Sequence, residues 1–178
     1  MSQPYEAVVY DLDGTLVELD VDWALLRREV ADRLDGRGVA TEDATLWDLL
    51  KRADAAGVGE IAEELVATHE RVGAHTSDRL PLAEELPLAV PVGICSLNAE
   101  SAVRRALDRH DLTDAVDAVV GRDSVPPQKP HPGPLLAVVR RLDAEPSETL
   151  FVGDSETDER TARRAGTAFQ YVEDRQSA

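Results

Sequence analysis

From Leu88 to the end of the chain, short apolar runs alternate with segments that repeat their apolar residues every three or four positions. Strands separated by helical crossovers pair in parallel, and the crossovers run right-handed, so the alternation predicts an α/β fold with a parallel sheet. The expected strands are 92–95 (Val92-Gly93-Ile94-Cys95), 115–120, 149–152 and 168–172, joined by a first strand over 5–10. The expected helices are 99–109, with Ala102, Val103, Ala106 and Leu107 facing inward, then 133–142 and 156–165. Gly166 supplies a left-handed cap to the last of them. Pro81, Pro87 and Pro91 leave room only for a short helical turn around 83–86, and the final few residues read as frayed.

Between the first strand and the second lie three stretches of helical period, 21–34, 42–55 and 58–72, punctuated by Gly36, Gly38 and Gly57, with no strand among them. The expected organisation is therefore an α/β core made of 1–17 and 79–178, with a small all-helical unit, 18–78, inserted after the first strand. An insertion there sits above the carboxyl edge of the sheet, where a lid would exclude water. Trp23 and Trp47 suit the packed interior of this unit better than contact with a substrate. Arg27 and Arg28 suit either an anionic substrate or an exposed helix face.

At 178 residues the chain has room for one such core and a modest insertion, not for a second full domain. No stretch has the apolar length of a membrane span, and Met1-Ser2-Gln3-Pro4 lacks a signal pattern, so a soluble, cytoplasmic protein is expected. One cysteine, Cys95, allows no internal disulfide and fits a reducing compartment, where it serves as a small buried side chain. Acidic residues number 35 against 19 Lys plus Arg, for a net charge of -16 and a pI near 4.5. Such a surface repels nucleic acid and anionic membranes. Lys51 and Lys129 are the only lysines, and an acidic, lysine-poor surface resembles proteins of salt-loving microbes.

The chemistry-bearing residues gather where strands end. Val8-Val9-Tyr10-Asp11-Leu12-Asp13-Gly14-Thr15 is an apolar run that delivers two carboxylates one residue apart, both able to face one reacting group on extended backbone. Taken alone, these residues also fit a strand followed by an Asp-Gly turn. Ser96 follows the second strand, Lys129 lies in the loop after the third, and Asp154 and Asp158 follow the fourth.

Phosphoryl transfer to water needs a nucleophile, a proton donor for the leaving oxygen, and positive charge around the phosphoryl oxygens. Asp11 can attack as a carboxylate, and Asp13 can pass a proton if its pKa is raised. So many acids need a cation among them, and Mg2+ suits a site of one or two carboxylates with a carbonyl. Asp11, Asp154 and the Asp13 carbonyl are its candidate ligands. Asp158, one helical turn after Asp154, faces the same site as ligand or support. Lys129, the Ser96 hydroxyl and the backbone N–H groups after Asp11, beginning with Leu12, are candidates for holding phosphate. Ser96 alone also fits a helix cap, and Lys129 alone an ordinary solvated lysine. His131, beside Lys129, suits a loop position.

In this order, Asp11-Leu12-Asp13-Gly14-Thr15, Ser96, Lys129-Pro130 and Gly153-Asp154-Ser155-x-x-Asp158 resemble the four motifs of the haloacid dehalogenase superfamily. The resemblance spans nearly the whole chain and extends to the small helical cap of phosphoglycolate-phosphatase-like members. It implies a Rossmann-like three-layer core with a mobile cap and Mg-dependent phosphohydrolase activity. By the family's pattern Asp11 is the nucleophile, Asp13 the acid/base, Ser96 and Lys129 phosphate binders, and Asp154 and Asp158 metal-site acids. Leu97 separates Ser96 from Asn98, where many relatives place Asn next to the hydroxyl, so Asn98 is a phosphate-binding candidate that departs from the pattern.

The expected function is hydrolysis of a small phosphorylated metabolite by a monomer or homodimer. A sugar-phosphate mutase on the same core, or a binding or regulatory protein that has kept the fold without turnover, are the alternatives. A dehalogenase needs neither a proton donor at Asp13 nor a metal.

Overall fold

The computed structural model of the chain describes residues 5–178, so the expectation about Met1-Ser2-Gln3-Pro4 lies outside the described residues. Its central strand is β1 (Ala7–Tyr10), buried along its whole length. Alternation on extended backbone sends Val8 and Tyr10 to one face and Ala7 and Val9 to the other, and each pair joins a separate apolar cluster. A strand apolar on both faces needs cover on both. Both neighbours of β1 are parallel: β4 (Val92–Cys95) pairs Val8 with Val92, and β6 (Thr149–Gly153) pairs Val8 with Leu150.

With β5 (Ala118–Val120) and β7 (Ala168–Tyr171) outermost, the five-stranded sheet runs β5-β4-β1-β6-β7, all parallel. One face is covered by α4 (Glu100–Arg109) through Ala102, Val103, Ala106 and Leu107. The other is covered by α5 (Gly133–Arg141) through Leu135, Val138 and Val139, and by α6 (Glu156–Ala165) through Ala162 and Ala165. This is the expected three-layer α/β core. The chain leaves β1 in one direction and later returns to its other side, so the strand order reverses at β1. Open α/β sheets bind ligands at the carboxyl ends of the strands beside such a reversal.

The insertion holds α1 (Trp23–Asp35), α2 (Leu46–Ala55) and α3 (Gly59–His75). They share an apolar cluster of their own, built on Leu26, Val30 and Leu34, on Leu46, Leu49 and Ala53, and on Ala62 and Val66. No helix among the described residues is long and apolar enough to cross a membrane.

Four expectations need correction. The insertion is framed by strands: β2 (Val17–Glu18) pairs antiparallel with β3 (Asp78–Arg79), a ribbon of two residues a side that is too short to leave a periodic signal. The second helix starts at Leu46 rather than 42, because Thr45 and Asp48 close a capping box there. The stretch 115–120 is strand only from Ala118, since Thr113–Ala115 forms a 3-10 turn closed by the Val116 amide on the Thr113 carbonyl. The C-terminus is not frayed: α7 (Val172–Ser177) is tied down by Arg175, which donates to Glu85 at 3.2 Å, while Glu85 also accepts from the buried Tyr10 hydroxyl.

Candidate active site

Asp11 is the first residue past β1, and its amide still donates to Val152 O at 2.9 Å, so the sheet fixes its position. The chain then folds back sharply, with the Thr15 and Leu16 amides both donating to the Leu12 carbonyl at 3.1 and 2.9 Å. Gly14 makes the turn possible. It has φ +78°, and a Cβ there would meet Asp154 Oδ2 at 2.3 Å, so the turn requires glycine for both conformation and space. The Asp13 carboxylate accepts from the Leu19 amide at 2.8 Å, in the segment leading from β2 to α1. Burial, with smaller contributions from Glu18, Asp154 and Glu70, pushes its pKa up to about 6.

Lys129 enters from the loop after β5 with a side chain only 2% exposed. Its Nζ donates to Asp158 Oδ1 at 2.6 Å, to the Cys95 carbonyl at 3.0 Å and to Asp11 Oδ1 at 3.2 Å. Burial opposes the lysine's charge, yet the carboxylates of Asp11 and Asp158 outweigh it and hold the group protonated above its ordinary range. Asp158 sits in the first turn of α6, where the exposed amides and helix dipole favour an acid. Its second oxygen accepts from the Ser155 hydroxyl at 2.8 Å, so one oxygen serves lysine and the other the helix cap. Carboxylate oxygens of Asp11, Asp154 and Asp158 lie within 4.8 Å of one another. Asp11 is held well above the usual carboxylate range, first by burial and then by the charges of Asp158 and Asp154, with Lys129 opposing. Asp154, on the solvent side, is raised by burial and by Asp158. An acid cluster strained in this way fits a hard divalent cation.

The end of β4 is organised differently from the expectation. The Ser96 hydroxyl donates to Asn98 Oδ1 and accepts from the Asn98 amide, both at 3.0 Å, so it closes the turn that carries Leu97 and Asn98. Asn98 Nδ2 in turn donates to Glu70 Oε1 at 3.2 Å, and the Ala99 amide to Glu70 Oε2 at 2.9 Å. Glu70 belongs to α3, is fully buried, and is paired with Arg122 from the end of β5 at 2.7 Å. Arg122 also donates to Glu63 at 2.6 Å and to the Leu97 carbonyl at 2.6 Å, and lies over the Trp47 ring, 5.7 Å from its centroid. Glu70 and Arg122 were not among the expected residues. The signal was present: Ala62, Val66, Glu70 and Ala74 fall every four positions on the buried stripe of α3, and a charge on such a stripe requires a buried partner.

These elements enclose a cavity of about 360 Å³. The core lines it with Asp11, Asp13, Leu97, Asn98, Lys129, Ser155 and Asp158, and the helical insertion with Trp23, Thr45, Leu46 and Trp47. Ser96 is buried beneath this surface rather than on it, and Asp154 flanks the acid cluster without lining the cavity. The Leu12 amide is directed at the Asp11 carboxylate. Trp23 and Trp47 are half-buried and face the cavity, which corrects the view of them as interior packing alone. Arg27 donates to the Ala44 carbonyl at 2.6 Å and Arg28 is exposed; neither lines the cavity. His131 accepts from the Gly133 amide at 3.0 Å, a loop role. The Cys95 thiol, pushed up to about 12 by burial, is no nucleophile.

A family profile described as haloacid dehalogenase-like hydrolase matches residues 81–172. The phosphoglycolate phosphatase of Rhodospirillum rubrum is 32% identical over an alignment covering 90% of this chain and 76% of that protein. The chain belongs to the haloacid dehalogenase-like hydrolases. The phosphoglycolate phosphatase of Escherichia coli K12 is 30% identical, with 85% of this chain and 59% of that protein aligned. Among solved structures, a haloacid dehalogenase superfamily hydrolase of subfamily IA from Geobacter sulfurreducens superposes with a TM-score of 0.65 at 26% identity, covering 93% of this chain and 88% of that one. The expected family, fold and hydrolase class are thereby borne out. The matched profile begins at residue 81, so the first acid pair of this hydrolase, Asp11 and Asp13, lies outside it.

Proposed function

We propose that this hydrolase is a Mg2+-dependent phosphoric monoester hydrolase acting on a small phosphorylated metabolite, with Asp11 as nucleophile and Asp13 as acid/base. The observation that carries the proposal is the buried Asp11–Lys129 contact of 3.2 Å, set in a cluster of acids and lining a cavity. The names of its relatives support the same reaction class.

In the first step an Asp11 oxygen bonds to phosphorus while the bond from phosphorus to the ester oxygen breaks, and Asp13 gives its proton to that leaving oxygen. In the second, water attacks the phosphorus of the aspartyl-phosphate, Asp13 takes the proton, and Asp11 is released with inorganic phosphate. A carboxyl poised near 6 can do both at neutral pH. Lys129 holds the attacking carboxylate and neutralises charge beside it, and Asp158 holds Lys129. Asp11 and Asp154, with the Asp13 carbonyl, would hold Mg2+, which when bound offsets the charge of the acids and of the transferring phosphoryl group. Asn98, on the turn that Ser96 closes from beneath, and the Leu12 amide bind phosphate oxygens. Residues 18–78 act as a cap on a core of 1–17 and 79–178, since the cavity is shared between them.

Release of phosphate from an aryl phosphate should require Mg2+, stop on chelation, and be lost in Asp11→Asn with the fold retained by circular dichroism. Full turnover by that variant, or metal-independent turnover, refutes the proposal.

A further inference from the structure

The helical insertion gives the cavity a chemistry of its own. It contributes Trp23, Leu46 and Trp47, with Thr45 as its one hydroxyl, and the turn after β4 adds Leu97. Four charged side chains line the cavity, and three of them, Asp11, Asp13 and Asp158, are acids. The fourth, Lys129, is committed to Asp11 and Asp158. Arg122, 5.7 Å from the Trp47 ring centroid, has a side chain that is 0% exposed and is neutralised by Glu63 and Glu70. Arg27 gives its Nε–H to the Ala44 carbonyl and does not line the cavity. Among the described residues that line the cavity, no cation is left free for the organic part of a substrate.

A buried carboxylate without a partner is costly, and more so beside other acids, whereas aromatic and aliphatic walls favour a flat apolar group. The volume of about 360 Å³ lies at the small end of ligand sites, enough for a phosphoryl group and one ring rather than a nucleotide. We propose that the preferred substrate is a phosphate monoester whose organic part is an uncharged, ring-bearing group packed between Trp23 and Trp47, and that the cavity selects against esters carrying a carboxylate. This rests on the phosphatase reading above and departs from the substrate named for the relatives.

The test compares phenyl phosphate with phosphoglycolate in the presence of Mg2+. The expected kcat/KM favours phenyl phosphate by at least about tenfold. Trp47→Ala should reduce that ratio roughly five- to tenfold, mainly through KM, and Trp47→Phe should restore most of it. Equal or greater kcat/KM for phosphoglycolate overturns the inference while leaving the phosphatase reading intact. Because both tryptophans of the chain line the cavity, their emission reports binding without turnover. If neither ester is hydrolysed, the phosphatase reading fails and titration of the emission decides the inference. A saturable change with phenyl phosphate, at concentrations where phosphoglycolate gives none, supports it; no change, or the same change with both, overturns it.

Discussion

At the scale of single residues, the site depends on close approach. Gly14 lies where any Cβ would strike Asp154, in a left-handed conformation that itself costs a non-glycine residue roughly 1–2 kcal/mol. Gly14→Ala should therefore lower stability by about that amount in denaturant titration. It should also cut activity by more than about tenfold, because Asp154 must move. Lys129 is the second case. Replacing it by Met leaves Asp11 and Asp158 buried without their cation, and the loss of one partner from such a cluster costs about 3–5 kcal/mol. In Mg-free buffer the Lys129→Met midpoint in urea should fall accordingly, and added Mg2+ should recover part of the difference through the remaining acids. Asp11, Asp13, Lys129, Asp154 and Asp158 were legible in the sequence because strand ends and a helix's first turn fix where such residues must go. Ser96 was legible as a position but not as a contact: its hydroxyl is claimed by Asn98 two residues on, which spacing alone does not reveal.

Among the elements, the joint between α3 and the ends of β4 and β5 decides how the helical unit sits on the sheet. It is polar where most such contacts are apolar: Glu70 and Arg122 are buried together, and Asn98 and the Ala99 amide complete the carboxylate's bonds. Breaking one member strands the other, so Glu70→Ala should lower stability by about 3–5 kcal/mol, measured by chemical denaturation. Glu63→Ala, whose side chain is 34% exposed, should cost clearly less. Equal effects for the two would contradict a role for burial. The helices of the insertion were readable from periodicity because each buries a long apolar stripe. The β2–β3 ribbon and α7 were not, since each is too short for its own pattern and owes its form to partners far away in the chain. Of the Glu70–Arg122 pair only half was legible: the apolar stripe of α3 marks Glu70 as buried, but which cation meets it is set by the fold alone.

For the whole molecule, the outstanding quantity is the net charge of -16. Most of those acids lie on the surface, where repulsion is long-ranged and salt screens it over about 3 Å at 1 M against about 10 Å at 0.1 M. The thermal midpoint should rise between low salt and molar KCl, and a constant or falling midpoint would remove the case for adaptation to salt. The parallel sheet was legible in the alternation of strands and helices, whereas its reversal at β1 was not, since strand order rests on pairings between distant segments; together they bring residues from four separate strand ends to one cavity. What that cavity is for turns on Asp11. The most direct measurement is an acid-quenched turnover of a radiolabelled aryl phosphate with Mg2+, followed by peptide mapping. The account predicts label on the peptide that contains Asp11 and none in Asp11→Asn; wild-type turnover with no label on that peptide would contradict it.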